Sequence, residues 1–115
     1  MPAELGAASR VRDAAPLFAA LGDETRFRLL ARLASDGPGS IARLGARAPV
    51  SRQAITKHLE ILSDAGLVTS RRRGRERIWQ IETSRLVEAR RYLDLISRQW
   101  DDALDRLKRF VEAPE

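Results

Sequence analysis

Apolar positions recur at helical spacing through most of the chain, and the interruptions between them fall at glycine, proline and capping residues. Residues 13–21 predict a first helix, with Pro16 tolerated in its opening turn and Leu17, Phe18 and Leu21 apolar. Gly22-Asp23 ends it and caps a second helix, in which Phe27, Leu30, Leu33 and Ala34 share one side while Arg26, Arg28 and Arg32 stay outside. Asp36-Gly37-Pro38-Gly39 breaks the chain. Ser40 then caps a brief helix through Ala48, with Ile41, Leu44 and Ala48 together, and Pro49 stops it because the residue before proline disfavours helical geometry. Ser51 caps the next helix, which runs to Ala65 and closes at Gly66.

Two short helices joined by a tight turn give the organisation of a helix-turn-helix. Residues 67–72 and 77–82 read as two strands, with the turn over 73–76 supplied by Gly74. From a cap at Thr83 or Ser84, one helix continues to about Val111. Its stripe is regular: Leu86, Ala89, Leu93, Ile96, Trp100, Ala103, Leu107 and Phe110 follow one another by alternating steps of three and four. Asp94 with Arg98, Asp102 with Arg106 and Asp105 with Arg109 are spaced as supporting pairs on the wet side. Tyr92, Leu95, Leu104 and Val111 add a second apolar flank, so one flank suits the domain and the other a second subunit. A single wide face buried within a monomer is the alternative. The expected fold is mainly α with a small β-hairpin, a winged helix-turn-helix with a dimerisation helix at about 83–111. One domain over 13–112 follows a flexible N-terminal segment, 1–12.

The chain has 115 residues, enough for one domain and small enough that a partner subunit would add useful burial. A hydrophobic share of 43% excludes a disordered chain, while 32% charged and 5% aromatic residues point to a soluble, mostly helical protein. Residues 1–8 have no basic stretch followed by an apolar run, and no apolar segment reaches bilayer length, so the expected location is cytoplasmic. The absence of cysteine excludes disulfides, thiolate metal sites and thiol redox sensing. His58 is the only histidine, so a zinc cluster or a Ser-His-Asp arrangement would have to use that one imidazole. With no glycine-rich phosphate loop, paired catalytic acids or activated nucleophile, neither an enzyme nor a cofactor is expected.

Charge changes the picture most. Between Arg43 and Arg77 stand nine basic residues, Arg43, Arg47, Arg52, Lys57, Arg71, Arg72, Arg73, Arg75 and Arg77, against Glu60, Asp64 and Glu76. That segment carries +6 and the remainder −1, so the formal excess of +5 is confined to one contiguous piece. A focused positive field attracts a polyanion. A solvated surface that happens to be arginine-rich is the bland alternative, and the confinement argues against it.

At about 100° per residue, Arg52, Gln53, Thr56, Lys57, Glu60, Ser63 and Asp64 fall on one side of the fourth helix. Ala54, Ile55, His58, Ile61, Leu62 and Ala65 fall on the other, which holds the helix to the scaffold. The first turns therefore offer Arg52, Gln53, Thr56 and Lys57 as donors to base edges or phosphates, with Ser40, Ser51 and the helix N-terminus near the backbone. His58 projects toward the apolar side, which favours packing over phosphate or metal contact. Trp79 and Ile81 alternate with Gln80 and read as the hairpin's core face rather than a stacking platform. Arg71, Arg72, Arg73, Arg75 and Arg77 cannot all point one way on a pleated hairpin; two or three should meet phosphates or the minor groove.

LFAALGDETRFRLLARL, SRQAITKHLEILSDAGLV and RRRGRERIWQI, in this order, resemble the first two helices, recognition helix and wing of the ArsR/SmtB family of small winged-helix repressors, from about Leu17 to Phe110. The resemblance implies a homodimer joined through the first and last helices, at Leu17, Phe18, Leu93, Ile96, Trp100, Ala103, Leu107 and Phe110. It implies double-stranded DNA as partner, an inverted-repeat operator near a promoter, and repression. Metal-sensing members carry a cysteine pair before the recognition helix, or acidic and histidine ligands on the final helix. Here the first position reads Ile41-Ala42-Arg43-Leu44 and the last helix has no histidine, so the chain resembles a metal-independent branch. A metal- or ligand-responsive repressor, or a winged-helix module that meets an acidic protein, are the competing functions.

Overall fold

The computed structural model describes residues 12, 14–46 and 48–112. Residues 1–11, most of the expected flexible segment, lie outside that set, as does Arg47; Arg12 is already helical. Helix α1 (14–21) turns Leu17 and Ala20 inward. After Gly22, Asp23 is extended, and its carboxylate accepts the Arg26 N–H at 3.0 Å to cap α2 (Glu24–Asp36).

The buried stripe of α2 is Leu29, Leu30 and Leu33, not the one anticipated. Phe27 is 61% exposed and Ala34 is also exposed. Both stripes share Leu30 and Leu33, and the helix is rotated so that Arg26, rather than Phe27, faces the neighbouring helices. Gly37, at φ 80°, closes α2 with its N–H on the Leu33 carbonyl.

The segment read as a break supplies a third strand, β1 (Gly39–Ser40). Two residues carry no alternation, so only pairing across the fold reveals them. Ser40 also caps α3 (Ile41–Gly45) by accepting from the Arg43 N–H; this helix stops short of the expected Ala48. Ser51 caps α4 (Arg52–Asp64) by accepting from Ala54 N–H at 3.1 Å.

The exit from α4 is a Schellman motif: Leu67 N–H reaches the Leu62 carbonyl and Gly66 N–H the Ser63 carbonyl, both at 2.9 Å, with Gly66 at φ 77°. Leu62 and Leu67 meet across the motif inside the core, joined by Ile55 and Leu59. Ile61 departs from the sequence reading. At 43% exposure it lies at the edge of the packed face.

Strands β2 (Val68–Arg73) and β3 (Glu76–Ile81) form the wing, and the antiparallel sheet has the order β1-β3-β2. Gly74 and Arg75 connect the two, with positive φ only at Gly74, the signature of a type II′ turn. Val68 and Trp79 plug the base of the hairpin into the core, and the Trp79 indole N–H has no acceptor among the described residues.

Helix α5 (Thr83–Glu112) begins with the Glu82 carboxylate accepting from the Ser84 N–H and hydroxyl, the role expected of Thr83 or Ser84. Its early turns dock through Leu86 and buried Ala89, and Tyr92 meets Phe18 of α1 at 6.0 Å between ring centroids. At 1.5 Å per residue the helix is roughly 45 Å long, and its distal half projects without covering. Trp100 is 64% and Phe110 81% exposed. Among the described residues no ion pair joins the expected Asp94-Arg98, Asp102-Arg106 or Asp105-Arg109 partners; Arg109 instead donates to the Asp105 backbone carbonyl.

Candidate nucleic-acid interface

Cap and stop signals fix α4 so that its buried edge, Ile55, Leu59 and Leu62, presents the opposite edge outward. Arg52, Gln53 and Lys57 are exposed there, and Ser51 is exposed at the N-terminus. With free N–H groups and no acidic residue in its first turn, this end of α4 suits an anion. Thr56 is half-buried, and its hydroxyl donates to the Arg52 carbonyl at 2.9 Å. Its proton is committed. Thr56 therefore offers an acceptor and a methyl group, not the donor that its residue type suggested.

The wing register sorts the arginines by face. Arg72 stands opposite Arg77 on the face that, farther down, buries Val68 and Trp79; Arg71 and Arg73 lie on the other face, opposite Ile78 and Glu76. Arg75 occupies the tip. All five side chains are exposed, and the Arg77 guanidinium carbon sits 6.0 Å from the centre of the Trp79 ring, a cation–π contact that steadies its stem. Ser40 is half-buried with its hydroxyl engaged as the α3 cap, and Arg43 beside it is exposed.

Not every arginine belongs to this surface. Arg26 and Arg32, expected outside, turn inward: Arg26 donates to the Ala20 carbonyl at 2.6 Å and Arg32 to the Leu44 carbonyl at 2.8 Å. Each neutralises the negative end of a helix, which sequence periodicity does not signal. His58 is held at the rear of α4, with Nδ1 at 3.3 Å from the Arg26 guanidinium and 3.7 Å from the Asp23 carboxylate. The Arg26 N–H holds the Asp23 carboxyl below the usual range against the opposing effect of desolvation, helped by the Arg26 charge and by His58 when its ring is protonated.

Of the residues assigned to a subunit interface, Leu17 is 1% exposed and packs in this chain's own core. Phe18 is half-buried against Tyr92. Leu93, Trp100, Leu107 and Phe110 are exposed along α5, while Ile96 and Ala103 are half-buried between them. Leu104 and Val111, counted only as a second flank, are exposed as well.

Among known proteins, a helix-turn-helix domain family matches residues 21–71. The chain is 36% identical over 94 residues to the HTH-type transcriptional regulator Rv2034 of Mycobacterium tuberculosis, spanning 82% of this chain and 84% of that one. It is 40% identical to an ArsR-like transcriptional regulator from Rhodococcus sp. RHA1, whose solved structure superposes with a TM-score of 0.77 over 90% of this chain and 96% of the other. A further ArsR family transcriptional regulator, RHA00566, is 28% identical with a TM-score of 0.71, covering 78% and 92%. Similarity of this extent reaches well beyond the helix-turn-helix to the surrounding helices, and the chain belongs to the ArsR family of winged helix-turn-helix transcriptional regulators, which bind DNA and are not enzymes.

Proposed function

We propose that this regulator works as a homodimer on an inverted-repeat operator and represses transcription by occupying it. The observation that carries the reading is the uncovered apolar face of α5, where Leu93, Trp100, Leu104, Leu107, Phe110 and Val111 are all exposed on one helix. A face of that extent marks an association surface. Its heptad spacing suits a second copy of the same helix under twofold symmetry. Two α4 helices then enter successive major grooves, with half-site centres about one helical turn, roughly 10 bp, apart.

In this reading Arg52, Gln53, Thr56 and Lys57 address base edges. Ser40, Ser51 and the wing residues Arg71, Arg72, Arg73, Arg75 and Arg77 hold phosphates or the minor groove. A dimer seated across a promoter excludes polymerase. Selecting genomic fragments on the purified protein, with sedimentation of the free protein alongside, tests the proposal. It expects a dimer and a motif with dyad symmetry; solitary subunits at working concentration, or a recovered motif without symmetry, overturn it. Repression is read separately from a reporter placed behind the recovered site.

One observation favours an added response to an effector. A groove of about 590 Å³ runs between α1 and α5, floored by Leu17, Tyr92 and Leu95 and edged by Arg91 and Arg98. It adjoins the proposed subunit contact, so an occupant there would alter dimer geometry. Release of operator by no extract fraction that shifts the melting temperature would remove this second reading.

A further inference from the structure

We infer that Arg26 is a positioning residue for DNA recognition: its guanidinium is a strut that fixes the recognition helix α4 against helix α1. Nε donates to the Ala20 carbonyl at 2.6 Å and one terminal nitrogen approaches the Ala19 carbonyl at 3.4 Å, both in the last turn of α1. The other terminal nitrogen lies 3.3 Å from His58 Nδ1, in the middle of α4. An arginine nitrogen only donates, so the strut takes Nδ1 as its acceptor, with the Asp23 carboxylate also 3.7 Å from that nitrogen.

Three features separate a strut from an incidental polar contact. The planar fork of the guanidinium serves two helices at once in fixed directions, which a lysine cannot reproduce. The start of the strut is itself fixed, because the Arg26 backbone N–H is bound by the Asp23 cap. Finally, His58 follows Lys57 directly and lies two residues from Thr56, so rotation of α4 about its axis at this point swings the outward side chains across the groove. Base-edge hydrogen bonds tolerate displacements of only a few tenths of an ångström.

The inference deepens the proposed dimeric reading and rests on it for one consequence. Helix α1 is seated on α5 through Phe18 and Tyr92, so a strut from α1 to α4 links the helix that would join two subunits to the helix that enters DNA. Arg26 then helps to set the distance between the two half-sites.

The test uses the full-length protein and a library of duplexes that varies half-site spacing, with melting temperature and affinity for random duplex as controls. His58→Leu removes the acceptor, His58→Gln retains one in its Oε1, and Arg26→Lys keeps the charge but not the fork. For His58→Leu and Arg26→Lys the inference expects unchanged affinity for random duplex, about a tenfold loss in the ratio of specific to random binding, and enrichment of neighbouring spacings. His58→Gln should behave as the parent protein does. Parental spacing and ratio in His58→Leu overturn the inference, even if Arg26→Lys fails to fold. If the parent protein enriches no spaced pair at all, the dimeric reading fails instead, and the specific-to-random ratio on its best single site still decides the strut.

Discussion

Arg72 stands directly across the wing ladder from Arg77, two like charges on one face of an antiparallel hairpin with no carboxylate paired to either among the described residues. Such a pair opposes hairpin formation in the free protein. A phosphate placed between the two guanidinium groups turns the repulsion into shared attraction, and Trp79 beneath keeps the Arg77 stem in place to receive it.

Arg72→Ala should therefore weaken binding to specific and random duplex alike and make the salt dependence shallower, by about one in the slope of log affinity against log salt. Thermal unfolding without DNA should show no loss of stability. A salt slope equal to that of the parent protein would place Arg72 away from phosphate.

Gln53 is exposed in the first turn of α4, with both its amide donor and its acceptor available. Gln53→Ala should cost about 1–3 kcal/mol on the preferred duplex and relax preference at one position of each half-site, with little change on random duplex. Sequencing of selected duplexes checks this, and an unchanged motif contradicts the assignment.

Leu104 and Leu107 lie on the uncovered part of α5 and touch none of the core. The double substitution Leu104→Glu with Leu107→Glu should give monomers by analytical ultracentrifugation while the fold of the winged domain persists by circular dichroism. Operator affinity should fall by two orders of magnitude or more on the order of an effective-concentration loss. Dimers that survive this change would place the subunit contact elsewhere.

Asp23 gives a signed dependence on pH. Its carboxyl is held below the ordinary carboxylate range, first by the Arg26 N–H and then by neighbouring positive charge. A depressed folded-state value means that the stabilisation is present above the unfolded-state value and is lost as pH falls through the folded-state one, below about pH 4. Asp23→Asn keeps a capping oxygen but not the charge, so its melting temperature should fall less steeply with acid than that of the parent protein. Parallel curves for the two proteins would contradict the charge assignment.

Much of the architecture was legible in local chemistry. Ser40, Ser51 and Asp23 cap helices where their types and positions indicate, Gly66 closes α4, and Gly74 turns the wing, because these roles depend on a few adjacent atoms. The outward edge of α4 was legible for the same reason: a helix of fixed pitch leaves Gln53 and Lys57 across from Ile55 and Leu62, whereas buried Leu59, one heptad from Arg52, was assigned to neither side.

What the amino-acid order by itself determined is thus the succession of helices, the hairpin, the confinement of positive charge and the apolar seam of the last helix, all consequences of short-range geometry and periodicity. Only the tertiary structure decided that Gly39–Ser40 pairs with β3, that Leu17 closes this chain's own core, that Arg26 and Arg32 turn inward, and that the Thr56 proton is already spent. Each of these depends on a partner supplied by another turn or element of the chain. An arginine at the edge of an apolar stripe is equally at home in water or on a helix-end carbonyl until the neighbouring helix is in place.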